Sequence, residues 1–248
     1  MKSIFDLAYK ENLLLDLHLP ETDEFDLFVY YFHGGGLKNG RRGGVEVFAK
    51  TLADRNIATA TVEYRMYPDA KFPDFIVDCA DSIRWLKENI SQYGKCNKMY
   101  VGGSSAGGYL SMMLCFDKRY LNAVGLKPTD IDAYIHDAGQ PTSHFNVLKE
   151  LGKDSKRIIV DETAPMYFVG TDETYSPMLF IVSDNDMFGR YEQTMLMVKT
   201  LEHFGHAEKV QTQVMHGGHC AYVYKADEDG DGILGKAMLS FLEIMKML

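Results

Sequence analysis

Short apolar runs alternate along this chain with longer segments whose apolar residues recur at helical spacing. Runs rich in β-branched and aromatic residues are typical of buried strands, whereas apolar residues three and four positions apart are typical of amphipathic helices. Strands are predicted at 13–19, 27–32, 57–62, 99–101, 131–135, 178–182 and 210–215. Helices are predicted at 44–55, 72–94, 106–116, 191–204 and 234–247.

This alternation predicts the fold class. A strand followed by a helix and then by another strand requires a crossover connection, which favours a mostly parallel central sheet flanked by helices. No stretch rich in proline, glycine and serine divides the chain, so residues 1–248 are predicted to form a single α/β domain. The least regular segment, 139–175, contains a short helical pattern at 145–151 and is predicted to be a small lid insertion over one edge of the sheet.

Composition narrows the class of partner. Apolar residues make up 46% and charged residues 25% of the chain, as in globular domains. The net charge of −9 argues against nucleic acid and anionic membranes, since both attract clustered lysine and arginine. We expect neither a membrane span nor a signal peptide, because the apolar runs are too short. The four cysteines lack C-x-x-C spacing and are interpreted as free thiols in a reducing cytoplasm.

A candidate nucleophile lies between a predicted strand and a predicted helix. The segment Gly103-Ser104-Ser105-Ala106-Gly107 matches G-x-S-x-G, and its spacing selects Ser105 rather than Ser104. In this nucleophile elbow the serine occupies a sharp turn whose flanking residues must be small. The pentapeptide alone is a weak signal, and its strand–turn–helix setting is what favours a catalytic serine over an ordinary glycine-rich turn.

A serine hydroxyl needs a base to take its proton, and the base needs an acid to orient it. In proteins with this elbow, the acid and then the histidine follow the serine along the chain, each after a later strand. Asp184 and Asp186 follow the predicted strand 178–182, and His216 and His219 lie at the end of the last predicted strand. His219 is predicted to be the base and His216 to be structural, while the choice between the two aspartates stays open on spacing alone.

The glycine run at the end of an early strand supplies the remaining chemistry. The segment "YFHGGGLKNG" follows the apolar run "DLFVYYF" directly. Bare backbone there allows amide N–H groups to approach the oxyanion that forms when the serine attacks an ester. Gly35 and Gly36, together with Ala106 after the nucleophile, are therefore predicted to form the oxyanion hole, and His33 is predicted to brace the loop.

Three segments together resemble the hormone-sensitive-lipase-like esterases of the α/β-hydrolase superfamily. They are "FVYYFHGGGLKNG", "VEYRMYPDAKFPDFIVDCADSIRWLKEN" and "GGSSAGGYL", and the resemblance covers 13–114 before it resumes weakly near the acid and histidine. It implies Ser105 as nucleophile, His219 as base and Asp186 as acid, although Ser183 and Met187 depart from the usual acid motif.

The resemblance also implies structural roles and one difference from the family. Tyr64, Arg65 and Asp78 match positions that hold a loop in place. Many family members carry a helical cap before the glycine motif, and the 32 residues that precede His33 leave no room for one. We therefore expect any lid to come from 139–175.

An acidic turn near the C-terminus resembles the start of a calcium loop. Asp227, Asp229 and Asp231 are followed by Gly232, but the twelfth position, which must carry a bidentate acid, is Met238. We interpret the segment as an acidic turn that favours the start of the last helix. No metal and no cofactor are predicted.

The predicted function is a serine carboxylic-ester hydrolase that acts on short acyl groups through an acyl-enzyme intermediate. An amide-directed serine hydrolase, such as an aryl-formamidase or a small peptidase, is the alternative, and a non-catalytic ligand receptor is a further one. The expected partner is a small-molecule ester, for example an acetylated sugar in an open, acidic-rimmed site. The sequence leaves the oligomeric state open.

Overall fold

The computed structural model describes residues 1–31, 35–170 and 173–248. The strands in this part of the chain are β1 (Lys2–Lys10), β2 (Leu13–Leu19), β3 (Glu24–Tyr31), β4 (Ile57–Val62), β5 (Lys95–Ser104), β6 (Ala133–Asp137), β7 (Met178–Asn185) and β8 (Val210–Gly218). The helices are α1 (Glu46–Ala53), α2 (Asp74–Asn89), α3 (Ala106–Phe116), α4 (Lys118–Ala123), α5 (Phe145–Glu150), α6 (Arg190–His203) and α7 (Ile233–Ile244).

The described strands form one sheet in the order β1-β2-β4-β3-β5-β6-β7-β8. β2 pairs antiparallel with both β1 and β4, and all other neighbours pair in parallel. Parallel neighbours have their carboxyl ends at the same edge, so the loops that leave β3, β5, β6, β7 and β8 converge there. The predicted, mostly parallel sheet is confirmed.

Each face of the sheet carries its own apolar core. α2, α3 and α6 cover one face with buried residues such as Ile83, Leu110 and Met197. α1 and α7 cover the other face, where Phe48 and Phe241 pack against the sheet. Strands buried on both faces are rich in apolar residues throughout, which explains why they could be recognised as continuous runs.

Most predicted elements agree with the structure to within a few residues, and two elements were missed. β1 was left unassigned because only one of its residues is buried and its apolar residues alternate weakly, and it is held as an edge strand by β2. α4 was missed because its six residues are too few for a helical period to show. Residue 32, the end of one predicted strand, lies outside the described residues.

The loop positions that the resemblance singled out form an ion-pair network. The Arg65 guanidinium donates to both carboxylate oxygens of Asp78 at 2.8 and 2.9 Å, and its backbone N–H donates to the same group. Lys10 of β1 donates to Asp78 at 2.8 Å. Because the Asp78 side chain is fully buried, these donors are needed to offset its lost hydration.

The segment 139–175 packs closely against the body of the protein. The hydroxyl of Tyr109 in α3 donates to the carbonyl of Thr163 at 2.8 Å. Lys38, beside the glycine run, pairs with Glu150 at 2.7 Å. This segment therefore borders the loops that follow β3, and its role as a lid stays a prediction.

The aspartates of the acidic turn before α7 are paired with a lysine of that helix. The Lys236 ammonium lies 2.5 Å from Asp227, 3.8 Å from Asp229 and 4.0 Å from Asp231. The same Asp227 carboxylate accepts the backbone N–H groups of Asp229 and Asp231.

No helix within the described ranges is both long and apolar enough to cross a membrane.

Candidate active site

The predicted functional residues all follow the carboxyl ends of strands in the parallel half of the sheet. Ser105 follows β5, Asp186 follows β7 and His219 follows β8. β5, β6, β7 and β8 are consecutive in the sheet, so the three side chains come from strands within one four-stranded block. Residues more than 100 positions apart in the chain thus meet at one edge.

The turn at Ser105 has the strained geometry of a nucleophile elbow. Its φ of 57° lies in the left-handed region, which a residue other than glycine adopts only when its surroundings hold it there. The backbone N–H of Ser105 donates to the carbonyl of Asp137 at 2.8 Å, which ties the turn to β6. A Cβ on Gly107 would lie 1.6 Å from the carbonyl oxygen of Tyr31, so only glycine fits where α3 crosses β3.

Ser105, His219 and Asp186 form a continuous hydrogen-bonded chain. The Nε2 atom of His219 lies 2.8 Å from the Ser105 hydroxyl, and its Nδ1 atom lies 2.6 Å from Asp186 Oδ1. The Asp186 side chain is fully buried, whereas the His219 ring is 23% exposed. A carboxylate held in this way fixes the ring orientation and leaves Nε2 free to accept the serine proton.

The surroundings of Asp186 favour its charged form. Burial would raise the pKa of this carboxyl, but the hydrogen bond and charge of His219 and the N–H groups of Met187 and Ser183 outweigh it and lower the pKa. The backbone N–H of Met187 lies 2.7 Å from Asp186 Oδ1. The acid is therefore ionised at neutral pH, which a partner for an imidazolium requires.

The other two candidates form a separate pair on the surface. Asp184 lies 2.6 Å from Nδ1 of His216 and accepts the backbone N–H of Gly217 at 2.9 Å. The His216 side chain is 98% exposed. The structure thus places Asp186, and not Asp184, against His219.

Gly35 lines the same cavity as Ser105. Gly35 begins a short 3₁₀ turn that also includes Gly36, whose φ of 62° suits glycine. The carbonyl of Gly36 accepts a 2.6 Å hydrogen bond from the side chain of Asn146, so α5 of the insertion supports this turn. Ala106 is the first residue of α3. His33 lies outside the described residues, and its bracing role stays a prediction.

A buried polar cluster beneath the nucleophile was missed by sequence reasoning. Asp137, at the end of β6, accepts hydrogen bonds from the side chains of Ser104 and Tyr222, and Tyr30 lies 2.6 Å from the Ser104 hydroxyl. Ser104 precedes the nucleophile, and Tyr222 comes three residues after the candidate base. Asp137 therefore connects the elbow to the loop that carries the histidine.

Burial dominates the electrostatics of this cluster. It raises the pKa of Asp137 from 3.8 to about 6, although the hydrogen bonds from Ser104 and Tyr222 act in the opposite direction. A signal for Asp137 existed, since this aspartate stands two residues after the predicted strand 131–135. It was indistinguishable from a loop aspartate until β6 was known to lie next to β5.

An open cavity of about 420 Å³ leads to Ser105 and His219. Gly35, Gly40, Gly43 and Gly44 form much of its wall, and Val223 and Tyr224 form the rest together with Cys220. Among the described residues the charged side chain at this cavity is Arg41. The expectation of an acidic rim is therefore wrong, because the net negative charge of the chain lies elsewhere on its surface.

A model of the BD-FAE protein family matches residues 15–201, which is well over half of the chain. This chain belongs to the BD-FAE family. The matched region spans β2 to α6 and includes Ser105, Gly35, Gly36 and Asp186. Membership agrees with the resemblance to esterases of the α/β-hydrolase superfamily.

Curated relatives of this BD-FAE family member carry esterase and lipase names. It is 32% identical over 113 residues to a probable isoprenylcysteine alpha-carbonyl methylesterase from Arabidopsis thaliana. The aligned region covers 45% of this chain and 27% of that relative. It is 25% identical over 234 residues to Lipase 2 from Moraxella sp. (strain TA144), which covers 91% of this chain and 51% of the relative. The chain thus spans between a quarter and half of the length of these relatives.

Solved structures with the same fold confirm the α/β-hydrolase architecture of this BD-FAE family member. A thermophilic esterase from Thermogutta terrifontis with bound butyrate superposes with a TM-score of 0.78 at 18% identity, over 98% of this chain and 94% of that one. Esterase B from Lactobacillus rhamnosis gives a TM-score of 0.77 at 17% identity, over 99% of this chain and 86% of that one.

Proposed function

We propose that this protein is a serine carboxylic-ester hydrolase with Ser105 as nucleophile, His219 as general base and Asp186 as the orienting acid. The observation that carries the proposal is the unbroken chain of 2.6 and 2.8 Å contacts from the buried carboxylate to the strained serine. The names of the relatives, among them a methylesterase and an arylesterase, support the same reaction class.

The proposed reaction proceeds in two acyl-transfer steps. Ser105 Oγ bonds to the ester carbonyl carbon while its proton passes to His219 Nε2, and the amides of Gly35, Gly36 and Ala106 stabilise the resulting oxyanion. The intermediate collapses with loss of the alcohol, which takes the proton from His219. Water then gives a proton to His219 Nε2 and attacks the carbonyl carbon of the acyl-enzyme to form a second tetrahedral intermediate. When the bond from this carbon to Ser105 Oγ breaks, the carboxylic acid is released and His219 returns the proton to Ser105 Oγ.

We further propose that the acyl group is short, such as acetyl to butyryl. The cavity at Ser105 has one aliphatic side chain, Val223, among its described lining residues, and glycines make up much of the rest. An acyl chain gains binding energy only from apolar walls that exclude water, so longer chains would gain little here. The related Thermogutta terrifontis esterase has been solved with butyrate and with propionate bound.

The open, glycine-lined mouth of this cavity would also admit an acetylated sugar, which is the example of a substrate that the sequence suggested. The cysteines found in the structure are all free thiols, which fits our proposal of a reducing cytoplasmic location.

Covalent labelling of the nucleophile tests this proposal. A fluorophosphonate should add to the wild-type protein and to Ser104→Ala at Ser105, and should leave Ser105→Ala unlabelled. Ser105→Ala should lose at least about a thousandfold in turnover of 4-nitrophenyl acetate, as expected when a triad serine is removed. Peptide mapping by mass spectrometry identifies the labelled serine.

A matched pair of substrates distinguishes an ester hydrolase from an amide-directed hydrolase. We expect 4-nitrophenyl acetate to be hydrolysed far faster than 4-nitroacetanilide, which has the same acyl group on nitrogen. Labelling at Ser104 would refute the assigned nucleophile, and faster cleavage of the anilide would favour the amide-directed alternative. Absence of both labelling and turnover would favour the receptor alternative.

A further inference from the structure

A second cavity, of about 440 Å³, lies between the 139–175 insertion and the loop that follows Asp186. The residues 187–190, which come directly after that acid, form one wall, and Phe145 of α5 forms part of another. The Phe145 ring also packs against Gly36, since a Cβ there would lie 3.3 Å from it. Gly35, the preceding residue, lines the cavity at Ser105, so the two cavities adjoin across the glycine turn.

The inner end of this second cavity contains a buried arginine. Arg190 is 4% exposed; its Nη1 donates to the carbonyl of Ala138 at 2.5 Å and its Nη2 to Gln140 Oε1 at 3.5 Å. Within the described ranges it forms no ion pair with a carboxylate. Burial lowers the pKa of Arg190 and the charge of Asp186 opposes this, but that carboxylate is already bonded to His219.

A buried guanidinium without a carboxylate partner is unusual because the desolvation of a charge is costly. A ligand can supply the missing anion, because the guanidinium fork matches the geometry of carboxylates and phosphates. The two neutral acceptors of Arg190 use only part of its five donors. The guanidinium therefore has donors left for an anionic group in the cavity.

The walls add two further positive charges and an apolar surface. Lys156 and Arg157 line the cavity, and no acidic side chain does so among the described residues, although the whole chain has a net charge of −9. Asp154 approaches Arg157 at 3.9 Å from outside the lining. Ile158 and Phe188 are 63% and 104% exposed at the mouth. The cavity thus suits a molecule with an apolar body and a negatively charged end.

We propose that this second cavity binds the alcohol part of the substrate through a carboxylate group held by Arg190, Lys156 and Arg157. The inference rests on the proposed function. Ser105 and His219 line the first cavity, which would receive the reacting carbonyl and its short acyl group, while the alcohol extends past Phe145 into the second. A planar carboxylate matches the planar guanidinium with two parallel hydrogen bonds. The natural substrate class is then a short-acyl ester of a hydroxy acid with an apolar body.

A pair of substrates that differ only in this charge tests the inference. They are 4-acetoxybenzoate and its neutral methyl ester, and the measured quantity is the ratio of their kcat/KM values. The double variant Lys156→Gln/Arg157→Gln should lower this ratio about tenfold relative to wild type, the range expected when charge-assisted contacts are lost. Comparing each variant with wild type cancels the intrinsic reactivities of the two esters.

The control removes two positive charges far from the cavity. Lys2→Gln/Arg84→Gln changes the net charge by the same amount, and both residues are exposed. The control should keep the wild-type ratio. An equal drop in both double variants would show a general effect of net charge and would overturn the assigned site, as would no drop in either.

Direct binding separates this inference from the proposed reaction. Calorimetry with benzoate should detect binding to Ser105→Ala, weaker binding to Arg190→Gln in that background, and partial recovery with Arg190→Lys. If neutral esters are hydrolysed but benzoate does not bind, the carboxylate site is wrong and the esterase proposal stands. If benzoate binds as expected but no ester is hydrolysed, the esterase proposal fails and the cavity remains an anion site.

Discussion

Among single residues, the two aspartates at the carboxyl end of β7 offer the sharpest contrast. Asp186 is buried against His219, whereas Asp184 pairs with a histidine that is 98% exposed. Asp186→Asn should lower kcat for 4-nitrophenyl acetate by about 10³–10⁴, because an amide does not stabilise the imidazolium and favours the wrong tautomer. Asp184→Asn should stay within about twofold of wild type, since exposed ion pairs contribute little. Steady-state kinetics at saturating substrate measures both.

Melting temperatures of the two variants serve as the control, because a loss of activity has meaning only in a folded protein. Equal losses of kcat in the two variants would contradict the assignment of Asp186. A larger loss in Asp184→Asn would transfer the role of acid to the exposed pair.

Among secondary-structure elements, Asp137 connects the end of β6 to the elbow after β5 and to the loop after β8. Burial raises the pKa of Asp137 from 3.8 to about 6 in the folded protein. At a pH between these two values, the folded state therefore holds a proton that the unfolded state has lost. The contribution of Asp137 to stability should therefore fall as pH rises from about 4 to about 7, by on the order of 2–3 kcal/mol. Asp137→Asn should lack this part of the pH dependence.

Denaturant unfolding of wild type and Asp137→Asn at pH 4.5 and pH 7 measures the effect as the change in their stability difference. The Asn variant should become more stable relative to wild type at the higher pH. Asp23→Asn, which removes an exposed carboxylate, is the control for the loss of one charge. A stability difference that is the same at both pH values would show that Asp137 is not destabilised by its burial.

At the scale of the whole molecule, loops from both halves of the chain meet at the carboxyl edge of the sheet and form the cavity at Ser105. The cavity at Ser105 is walled by the glycine-rich segment after β3 and by the loop after β8, with Val223 as its described aliphatic side chain. Each methylene that reaches apolar walls contributes about 0.8 kcal/mol, and few such walls exist here. We expect kcat/KM for 4-nitrophenyl esters to be highest between acetyl and butyryl and to fall by octanoyl.

The Val223→Ala variant provides a matched comparison. It should lower kcat/KM for the butyryl ester more than for the acetyl ester, because only the butyryl group has methylenes that can contact the side chain of Val223. A maximum at octanoyl or beyond would mean that acyl chains enter an apolar space, for example the Phe145 side of the second cavity, and would contradict the short-acyl proposal.

The local pattern of the sequence was sufficient to predict most of the strands and helices and to identify the residues of the motifs. The strands at Leu13–Leu19 and Ile57–Val62 and the helix at Ala106–Phe116 agree with the predicted bounds, since hydrophobic periodicity is a property of neighbouring residues. Ser105 was identified because a nucleophile elbow requires small residues at fixed offsets. The sequence of this protein by itself thus determined the α/β fold class and a candidate serine, with a short list of partners for it.

Only the tertiary structure decided which of those partners meet and what surrounds them. The choice of Asp186 over Asp184 depends on the loop after β7 meeting the loop after β8, and the importance of Asp137 depends on β6 lying between β5 and β7. The second cavity exists because α5 and the start of α6 adjoin, which brings Phe145 and Arg190 to one space. The order of strands in a sheet is set by long-range pairing, so no local pattern contains it and such contacts emerge only from the folded chain.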